Sequence, residues 1–567
     1  MADLPQASVT IDDEAGALAG GTDLLAVFAA VAKSADVTPR IFTSTKALIE
    51  KHGYSPAADY AAIHFQESRK PILFVGLPIV TAGAVGQQDD SGVTGSSAIT
   101  VAAGSDGILE AVNATMTVTK GGTIGTSQIA LSLSCDGGRT TKPVRLGTAN
   151  SYTVPYLGIV INFGAGTLVA GDVFSFRTTA PRWDQAGIEA ARLALAAQKK
   201  QVRSWLVVGD LVVEQDAADV VTEINAYETA NERFAYARAQ ARDIYPAAKK
   251  SSLGTLTFAE VGATGDTITR SAGSWVADGF RVGQTITVAG SASNNVTGAI
   301  AGVTSTVLTL GSTDLTAEAD VADCTVTAAA ETHTDWLTAI DAAFADIDAE
   351  KRIDIASGRA RKRSPITGWL FRRPLSWAAS VREYQHDVQI PVWRKEDGPL
   401  SGWDLEDADG NTVEHDERVD GGALAARFTC ARTWANGPAG TYIALSLTRA
   451  TEGSLLSRTH NLAVANVACS VAHAETENAI GMVLELNADG TATEASLTVL
   501  EERVNSALAI ALLQRKSEGP RASAAKWQAS RSDVLNVPGA ELTGTLDLRL
   551  NGTLEKITTR VRVQTAG

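Results

Sequence analysis

The residues best suited to chemistry in this chain are its histidines, cysteines and acidic turns. The seven histidines are scattered, and no spacing among them matches a metal site or a catalytic triad. Four of them could meet in space, although a structural or surface role is favoured for each: His386, His415, His460 and His473. The sequence has no Walker loop, HExxH, GxSxG or complete GxGxxG motif. It therefore predicts no catalytic site and no cofactor.

Two acidic turns have the spacing of calcium loops, but each lacks a required ligand. In the turn 407–410 the first ligand position is occupied by Leu405. In the turn 485–490 the position of the bidentate acid is occupied by Ser496. We interpret both as ordinary turns and predict no metal.

The four cysteines show no CxxC or other metal-binding spacing. The favoured interpretation is that they are small buried hydrophobic residues or free thiols. Cys135 and Cys324 fall in two β-rich regions, so a disulfide between them stays open as an alternative outside a reducing compartment. Sequence alone does not decide between these states.

A basic run is the sharpest candidate for a binding surface. Its cations are Arg359, Arg361, Lys362 and Arg363, with Arg372 and Arg373 nearby. Aromatic residues interleave with it, a combination that could bind phosphate or nucleic acid: Trp369, Phe371 and Trp377. However, the net charge of −15 argues against a general nucleic-acid binder. We favour contact with an acidic surface, such as the cluster 396–420 of a neighbouring copy.

The length of 567 residues predicts two to four domains. Because 50 glycines accompany only 6% aromatic residues, we expect many turns and modest cores. The N-terminus has no secretory-signal pattern, and no apolar run approaches the roughly 20 residues of a membrane span. We therefore expect a protein made in the cytoplasm, with no membrane insertion, that stays there until it joins a larger assembly.

Helices that alternate with buried strands predict an α/β core. Ser44 can cap a helix that ends at Gly53, and the apolar strand 71–78 follows a second helix. Asp184 begins a helix before the apolar strand 205–209, and a long helix is predicted from Asp216 to Asp243. The core is discontinuous and comprises residues 23–85, 181–251 and 331–541.

Two regions between these core segments are rich in short alternating runs separated by glycines. Residues 86–180 predict a β-sandwich or small barrel, and residues 252–330 predict a second β insert of about the size of a small Ig-like module. The predicted fold class is thus an α/β (α+β) core interrupted by two all-β inserts, with extended strand arms at both ends.

The two arms are residues 1–22 and 542–567. In the first, Val9 and Ile11 alternate with polar residues, the period of a short strand. In the second, Asn551-Gly552 predicts a type I′ turn between two alternating runs. The apolar positions of that predicted hairpin are Leu546, Leu548, Leu550, Ile557, Val561 and Val563. An isolated strand is unstable in water, so each arm should pair within its own sheet or with a neighbour's edge.

These features resemble the contractile-tail sheath proteins of bacteriophages. The resemblance rests on the N-terminal arm, the terminal strands and the helix 494–515. It also rests on these segments: Ser44-x-x-x-Leu48-x-x-x-His52-Gly53, Ala61-Ala62-x-x-Phe65, the strand 72–75, and the segment from Leu168-Val-Ala-Gly-Asp172 to Pro181. It covers about two-thirds of the chain. Residues 375–445 do not match, and the two β regions are not part of the common sheath core.

The resemblance implies a structural subunit that is not an enzyme. Such subunits stack as hexameric rings around a tail tube, and their arms add strands to neighbouring sheets. Contraction of a metastable sheath then drives the tube through the host envelope. The implied partners are other copies, the tail tube protein, and the baseplate and tail terminator or neck proteins, without direct nucleic-acid contact. The implied location is the virion tail, after assembly in the host cytoplasm.

Other functional classes remain open at this point. The chain could be a baseplate or tube protein with β decorations, although the helices 184–202 and 216–243 oppose a tube protein. It could be an adhesin that binds glycans through its β regions. An enzyme has no catalytic constellation to support it.

Overall fold

The computed structural model describes residues 24–198, 201–250, 253–262, 265–311, 314–406, 422–434, 436–515, 517–537 and 540–554. The fold is a mixed α/β fold with several sheets and, within these ranges, eight α-helices. The chain divides into two compact units. Unit 1 comprises Met1–Gln385 and Val392–Arg458, and unit 2 comprises His386–Pro391 and Thr459–Gly567.

The first core segment of unit 1 has the helices and buried strand that the sequence predicts. Its elements are β1 (Leu25–Ala30), β2 (Arg40–Phe42), α1 (Thr45–His52), α2 (Pro56–Glu67) and β3 (Ile72–Leu77). The Ser44 hydroxyl accepts a hydrogen bond from the Ala47 amide at 3.4 Å, which caps α1. Gly53 ends the helix with a φ of 78°, which L side chains rarely adopt.

The first β region follows directly. Its strands are β4 (Val85–Gly92), β5 (Ile99–Ala103), β6 (Asn113–Lys120), β7 (Gly122–Thr123), β8 (Ile129–Ser134), β9 (Lys142–Gly147), β10 (Ser151–Val154), β11 (Ile159–Phe163), β12 (Thr167–Leu168) and β13 (Val173–Thr178). They form a sheet of order β4-β13-β6-β8-β9, a sheet β10-β11-β5 and the pair β12-β7. All pairings between these strands are antiparallel.

The second core segment contains α3 (Gln185–Ala197), β14 (Ser204–Leu211), α4 (Glu214–Thr229) and β15 (Tyr236–Ala241). Asp184 caps α3 by accepting from the Gly187 amide at 3.0 Å, as predicted. The prediction of one helix from Asp216 to Asp243 is wrong, because α4 ends at Thr229 and a fully buried strand follows.

The second β region is a single open array of strands. They are β16 (Ala248–Lys249), β17 (Leu256–Ala259), β18 (Thr267–Arg270), β19 (Thr285–Ala289), β20 (Thr297–Val303), β21 (Val307–Leu310), β22 (Glu318–Val321) and β23 (Thr325–Ala328). Their order is β16-β23-β19-β20-β21-β18-β17-β22. The strands surround a hydrophobic cluster of their own, in which Trp275 and Phe280 pack edge to face with ring centroids 5.1 Å apart.

The rest of unit 1 completes the core. Its elements are α5 (His333–Ala343), β24 (Ile353–Ala356), β25 (Arg359–Arg363), β26 (Leu370–Pro374), α6 (Leu375–Glu383), β27 (Asp404–Glu406), β28 (Cys430–Arg432) and β29 (Tyr442–Leu445). Strands β26, β25 and β27 form one antiparallel sheet, and β28 pairs with β29.

A six-stranded sheet organises this core, in the order β2-β3-β1-β14-β15-β24. All neighbouring strands are parallel except the short edge strand β2. One face packs against α1, α2 and α6, and the other packs against α3, α4 and α5. Because both faces are covered, β1 and β3 are apolar throughout.

Unit 2 is built from two helices and a two-stranded ribbon. Its elements are α7 (Thr459–Glu477), α8 (Glu494–Leu508), β30 (Ala522–Ala529) and β31 (Gly544–Leu550). A π-helical turn, Ala509–Leu513, extends α8, in agreement with the helix predicted over 494–515. The segment 386–391 packs onto this unit, where Glu518 accepts hydrogen bonds from the Asp387 amide at 2.9 Å and contacts His386 at 3.0 Å.

Candidate functional site

The candidate assembly residues of the two arms are divided between described and undescribed parts of the chain. Val9 and Ile11 lie outside the described residues, as do Ile557, Val561 and Val563. Leu546, Leu548 and Leu550 lie on β31. The described part of the candidate site is therefore the β30–β31 ribbon of unit 2.

The predicted hairpin around Asn551-Gly552 is wrong in its turn. A type I′ turn needs positive φ at both central residues, and neither residue has it. The side-chain amide of Asn551 instead donates to the Pro520 carbonyl at 2.8 Å, which anchors the segment after β31. The partner of β31 is β30, which precedes it in the chain and which the sequence analysis missed.

The register of the ribbon determines which backbone groups face outward. The Ser530 amide donates to the Thr543 carbonyl at 2.8 Å, so these two residues form a hydrogen-bonded pair. Such pairs alternate along an antiparallel ladder with pairs whose N–H and C=O groups point away from the partner strand. Leu546 opposite Trp527 and Leu548 opposite Ala525 are outward-pointing pairs.

The outer edge of β31 is open in the described part of the chain. There, β31 pairs with β30 alone, and the N–H and C=O groups of Leu546 and Leu548 have no backbone partner. An exposed edge of this kind is a template for an added strand.

The two faces of the ribbon differ in polarity. The face that carries Trp527 packs against the helices, and Leu546, Leu548 and Leu550 on that face remain only half-buried. Gly544 leaves room for the indole, because an added Cβ would lie 2.2 Å from the Trp527 ring. The opposite face is polar and exposed, and it includes Asp547 and Arg549. A strand added to β31 would therefore need alternating apolar and polar side chains.

Two cations of the basic run form ion pairs within unit 1. Arg359 contacts Asp210 at 2.5 Å and Asp243 at 3.2 Å, and Lys362 contacts Glu67 at 2.6 Å. These two cations therefore have acidic partners in their own chain, where a neighbouring copy was expected to supply them. Burial is the cause, because β25 lies against the core and a buried cation needs a nearby counter-charge.

The other two cations of the run have a different environment. Arg363 is exposed and donates to the Gly368 carbonyl at 2.8 Å. Arg361 lies opposite Arg372 on β26 and opposite Asp404 on β27. The acidic cluster proposed as their partner lies mostly outside the described residues, which end at 406 and resume at 422.

No disulfide joins Cys135 to Cys324, and both side chains are free thiols. Both residues are buried, each within the hydrophobic cluster of its own β region. Burial raises the pKa of the Cys135 thiol to about 12. It behaves as a small hydrophobic side chain rather than as a reactive thiol.

The described histidines of this set and the acidic turn 485–490 have structural surroundings, whereas the turn 407–410 lies outside the described residues. His460 and His473 lie on α7, His386 contacts Glu518, and His415 is outside the described residues. Among the residues that the structure describes, no group of three or more acidic, histidine or cysteine side chains could hold a metal ion. The Asp489 carboxylate accepts from the Thr491 amide at 3.0 Å, as in an ordinary turn.

The central sheet has a position at which α/β folds of its strand order often bind ligands. Strand order reverses between β1 and β14, and ligands bind beyond the carboxyl ends of strands at such points. Here the Trp183 indole donates to the Val208 carbonyl at 3.0 Å and packs against Gly209. The Asp210–Arg359 ion pair follows directly. Side chains of the protein itself occupy this end of β14.

No family model matches the sequence, and no curated protein matches it. In the described part of the chain, no helix has the length and apolar character of a membrane span. Solved structures to which the chain is similar include sheath proteins and the baseplate of an anti-feeding prophage.

One of these structures is a sheath tail protein from Listeria innocua, with 10% identity, coverage of 93% of this chain and 95% of that chain, and a TM-score of 0.38. Another is a sheath tail protein from Desulfitobacterium hafniense, with 8% identity, coverage of 95% and 100%, and a TM-score of 0.38. A third is the contracted sheath complex of an extracellular contractile injection system, with 13% identity, coverage of 38% and 56%, and a TM-score of 0.26.

Proposed function

We propose that the protein is the structural subunit of a contractile tail sheath of the phage type. It polymerises as stacked hexameric rings around a tail tube, and contraction drives the tube through a host envelope. The observation that carries this proposal is the open outer edge of β31, where the backbone of Leu546 and Leu548 faces outward beside half-buried side chains. A subunit that must link to its neighbours through strands needs such an edge.

The arms supply strands that extend the sheets of neighbouring copies. Val9 and Ile11 in the first arm, and Ile557, Val561 and Val563 in the second, alternate with polar residues and match the two-faced character of the ribbon. A two-stranded ribbon is marginally stable by itself, and a third strand would stabilise it and bury its leucines. Copies joined in this way stay linked while they move as bodies during contraction.

Unit 1 has the buried ionic contacts expected of a body that keeps its shape. The Arg238 guanidinium is 1% exposed and donates to Asp354 at 2.7 Å and to Glu383 at 2.8 Å. Separating these charges inside the core would be costly, so the sheet and α6 should move together. The exposed Arg363 is the cation of the basic run placed for contacts with another copy, and such contacts should weaken as salt concentration rises.

Electron microscopy of the purified protein tests the proposal. Striated tubes or rings are expected from the full chain. Deletion of residues 1–22, or of residues 555–567 beyond the ribbon, should abolish them because the strands that join neighbouring copies are lost. Both truncated chains should keep the circular dichroism spectrum of the full chain, which controls for misfolding. Normal tubes from both truncations would sink the proposal.

A further inference from the structure

The two outer edges of the ribbon in unit 2 are not equivalent. The outer edge of β31 is open in the described residues, whereas the outer edge of β30 is covered by α8. The Asn505 side chain donates to the Trp527 carbonyl at 2.9 Å and accepts from the Trp527 amide at 2.7 Å. Glu501, one helical turn earlier, accepts from the Ala529 amide at 2.9 Å.

These side chains satisfy the groups that a further strand would need. Trp527 and Ala529, like Ala525, are positions of β30 whose backbone groups point away from β31. The primary amide of Asn505 has one carbonyl and one NH₂ group, so it forms the two hydrogen bonds that a residue of a neighbouring strand would form. Arg531, which donates to Glu501, lowers the pKa of that carboxyl, so Glu501 remains an ionised acceptor.

We propose that the ribbon accepts an added strand on the β31 edge only, and that Asn505 is the residue that closes the β30 edge. The proposal rests on the proposed function in one respect, since its occupant is a segment of a second copy of this chain. Asn505 acts as a specificity-determining residue, because it removes one of two competing sites for the same strand.

The occupant is the segment 7–12 of the second copy. This segment lies outside the described residues, and its Ala7, Val9 and Ile11 alternate with Ser8, Thr10 and Asp12. Beside β31 its apolar side chains would cover the half-buried Leu546 and Leu548, and its polar side chains would join the exposed Asp547. Beside β30 the same segment would have to displace Asn505 and Glu501 from their hydrogen bonds.

Cross-linking of the full-length protein tests which edge is used. One double variant carries Thr10→Cys with Asp547→Cys on the exposed face of β31. The other carries Thr10→Cys with Gln528→Cys on the exposed face of β30. With a short bismaleimide, the first should give roughly tenfold more covalent dimer than the second, the factor expected from one or two backbone hydrogen bonds. The wild-type protein sets the background from Cys469.

Variants of the closing residue give a second readout. Asn505→Ala removes both hydrogen bonds to Trp527, and Asn505→Asp keeps the acceptor but loses the donor. In the Gln528→Cys background, Asn505→Ala should raise dimer yield about tenfold and Asn505→Asp should raise it less. Glu502→Ala, an exposed change on the same helix, should leave the yield unchanged. If Asn505→Ala fails to fold, the Asn505→Asp variant alone decides.

The outcomes separate this inference from the proposed function. Striated tubes in which the Gln528→Cys position links as efficiently as the Asp547→Cys position would overturn the one-sided edge and leave the sheath proposal standing. No rings or tubes, and no dimer at either position, would overturn both. Tubes that show dimer at the Asp547→Cys position only, together with a raised dimer yield at the Gln528→Cys position in the Asn505 variants, support both proposals.

Discussion

The two β regions of unit 1 look alike in sequence but differ in how they meet the rest of the molecule. The side chains of the first, β4–β13, belong to the same hydrophobic cluster as one face of the central sheet. The side chains of the second, β16–β23, form a separate cluster. The regions touch each other at Gly86, where an added Cβ would lie 1.8 Å from the Ala277 carbonyl oxygen.

Buried ionic contacts explain the difference. Glu110, in the first region, contacts Arg373 of β26 at 2.9 Å and accepts from the Tyr54 hydroxyl at 3.1 Å. Arg373 also pairs with Asp59 on α2. The buried ion pair of the second region is internal, since Arg270 and Asp278 both belong to that region and lie 2.6 Å apart. A β region inserted into a core can therefore be either part of that core or a separate body, and composition does not distinguish these cases.

The largest effect should come from excising each region. Removal of 255–328 should leave a folded core, because the region has a hydrophobic cluster of its own and because Ala248 pairs with Ala328, so residues 249–254 and a short linker can rejoin the chain at 329. Removal of 86–180 should abolish folding, although Thr179 donates to the Ala84 carbonyl at 2.9 Å and the chain enters and leaves that region at neighbouring positions. Solubility and circular dichroism check both, with a short glycine linker in each case.

These excisions also test the proposed boundaries and function. The chain without 255–328 should still form tubes, since the region has its own core and carries neither arm. Loss of the folded core after this excision would mean that the second region is as integrated as the first.

Single substitutions of the two buried arginines should separate the regions next. Arg373→Ala leaves Asp59 and Glu110 buried without their cation, which should cost about 3–5 kcal/mol of core stability. Arg270→Ala leaves Asp278 buried without its cation, and the similar loss of stability should be confined to the second region. Calorimetry should show that only one transition shifts in each variant. A shift of both transitions by Arg270→Ala would contradict the separation.

Protonation of His64 on acidification should act on the shared core alone. Burial lowers the pKa of His64 to about 3, so the folded state binds fewer protons than the unfolded state, whose histidine titrates near its usual value. Core stability should therefore fall as pH decreases from 7 to 5, by about 2 kcal/mol from this residue. The second region has no histidine between 252 and 330, so its transition should not move through this cause. The variant His64→Phe should reduce the pH dependence of the core.

The smallest effect is expected from Tyr54→Phe. The change removes the hydrogen bond to Glu110 at 3.1 Å but keeps the ring, and Glu110 retains Arg373. A loss of about 1 kcal/mol in core stability is expected. Urea unfolding checks this value, and an unchanged midpoint would mean that the hydroxyl contributes nothing to the junction.

Sequence patterns predicted the parts of the fold that follow local rules. The helices begin or end at Ser44, Gly53 and Asp184 as predicted, because caps and helix ends depend on neighbouring residues only. Strand β15 was missed because Arg238 and Gln240 are unusual in a buried strand. Their burial depends on partners far along the chain, such as Asp354, which no local pattern reveals.

The candidate site was predictable in part for the same reason. The alternation of Leu546, Leu548 and Leu550 correctly indicated a strand. Its described partner, β30, was missed because Asn551-Gly552 is a strong turn signal that points to the following segment, whereas β30 has mostly alanine and polar residues. The closing contact from Asn505 had no sequence signal, since a single asparagine on a helix is ordinary. In the basic run, only the fold shows that Arg359 and Lys362 face acids of their own chain.

The parallel order of the central sheet has a consequence for how the chain folds. Arg238 and Asp354 are register partners on adjacent strands, yet they are 116 residues apart in sequence, and the second β region lies between them. Pairing at such separations slows folding, because a long loop must close before the contact is gained. During synthesis the second region can fold around its own core before β24, the neighbour of β15 in the sheet, has been made. The slow step for the chain should be the arrival of β24, at which the buried charge of Arg238 first finds its partner.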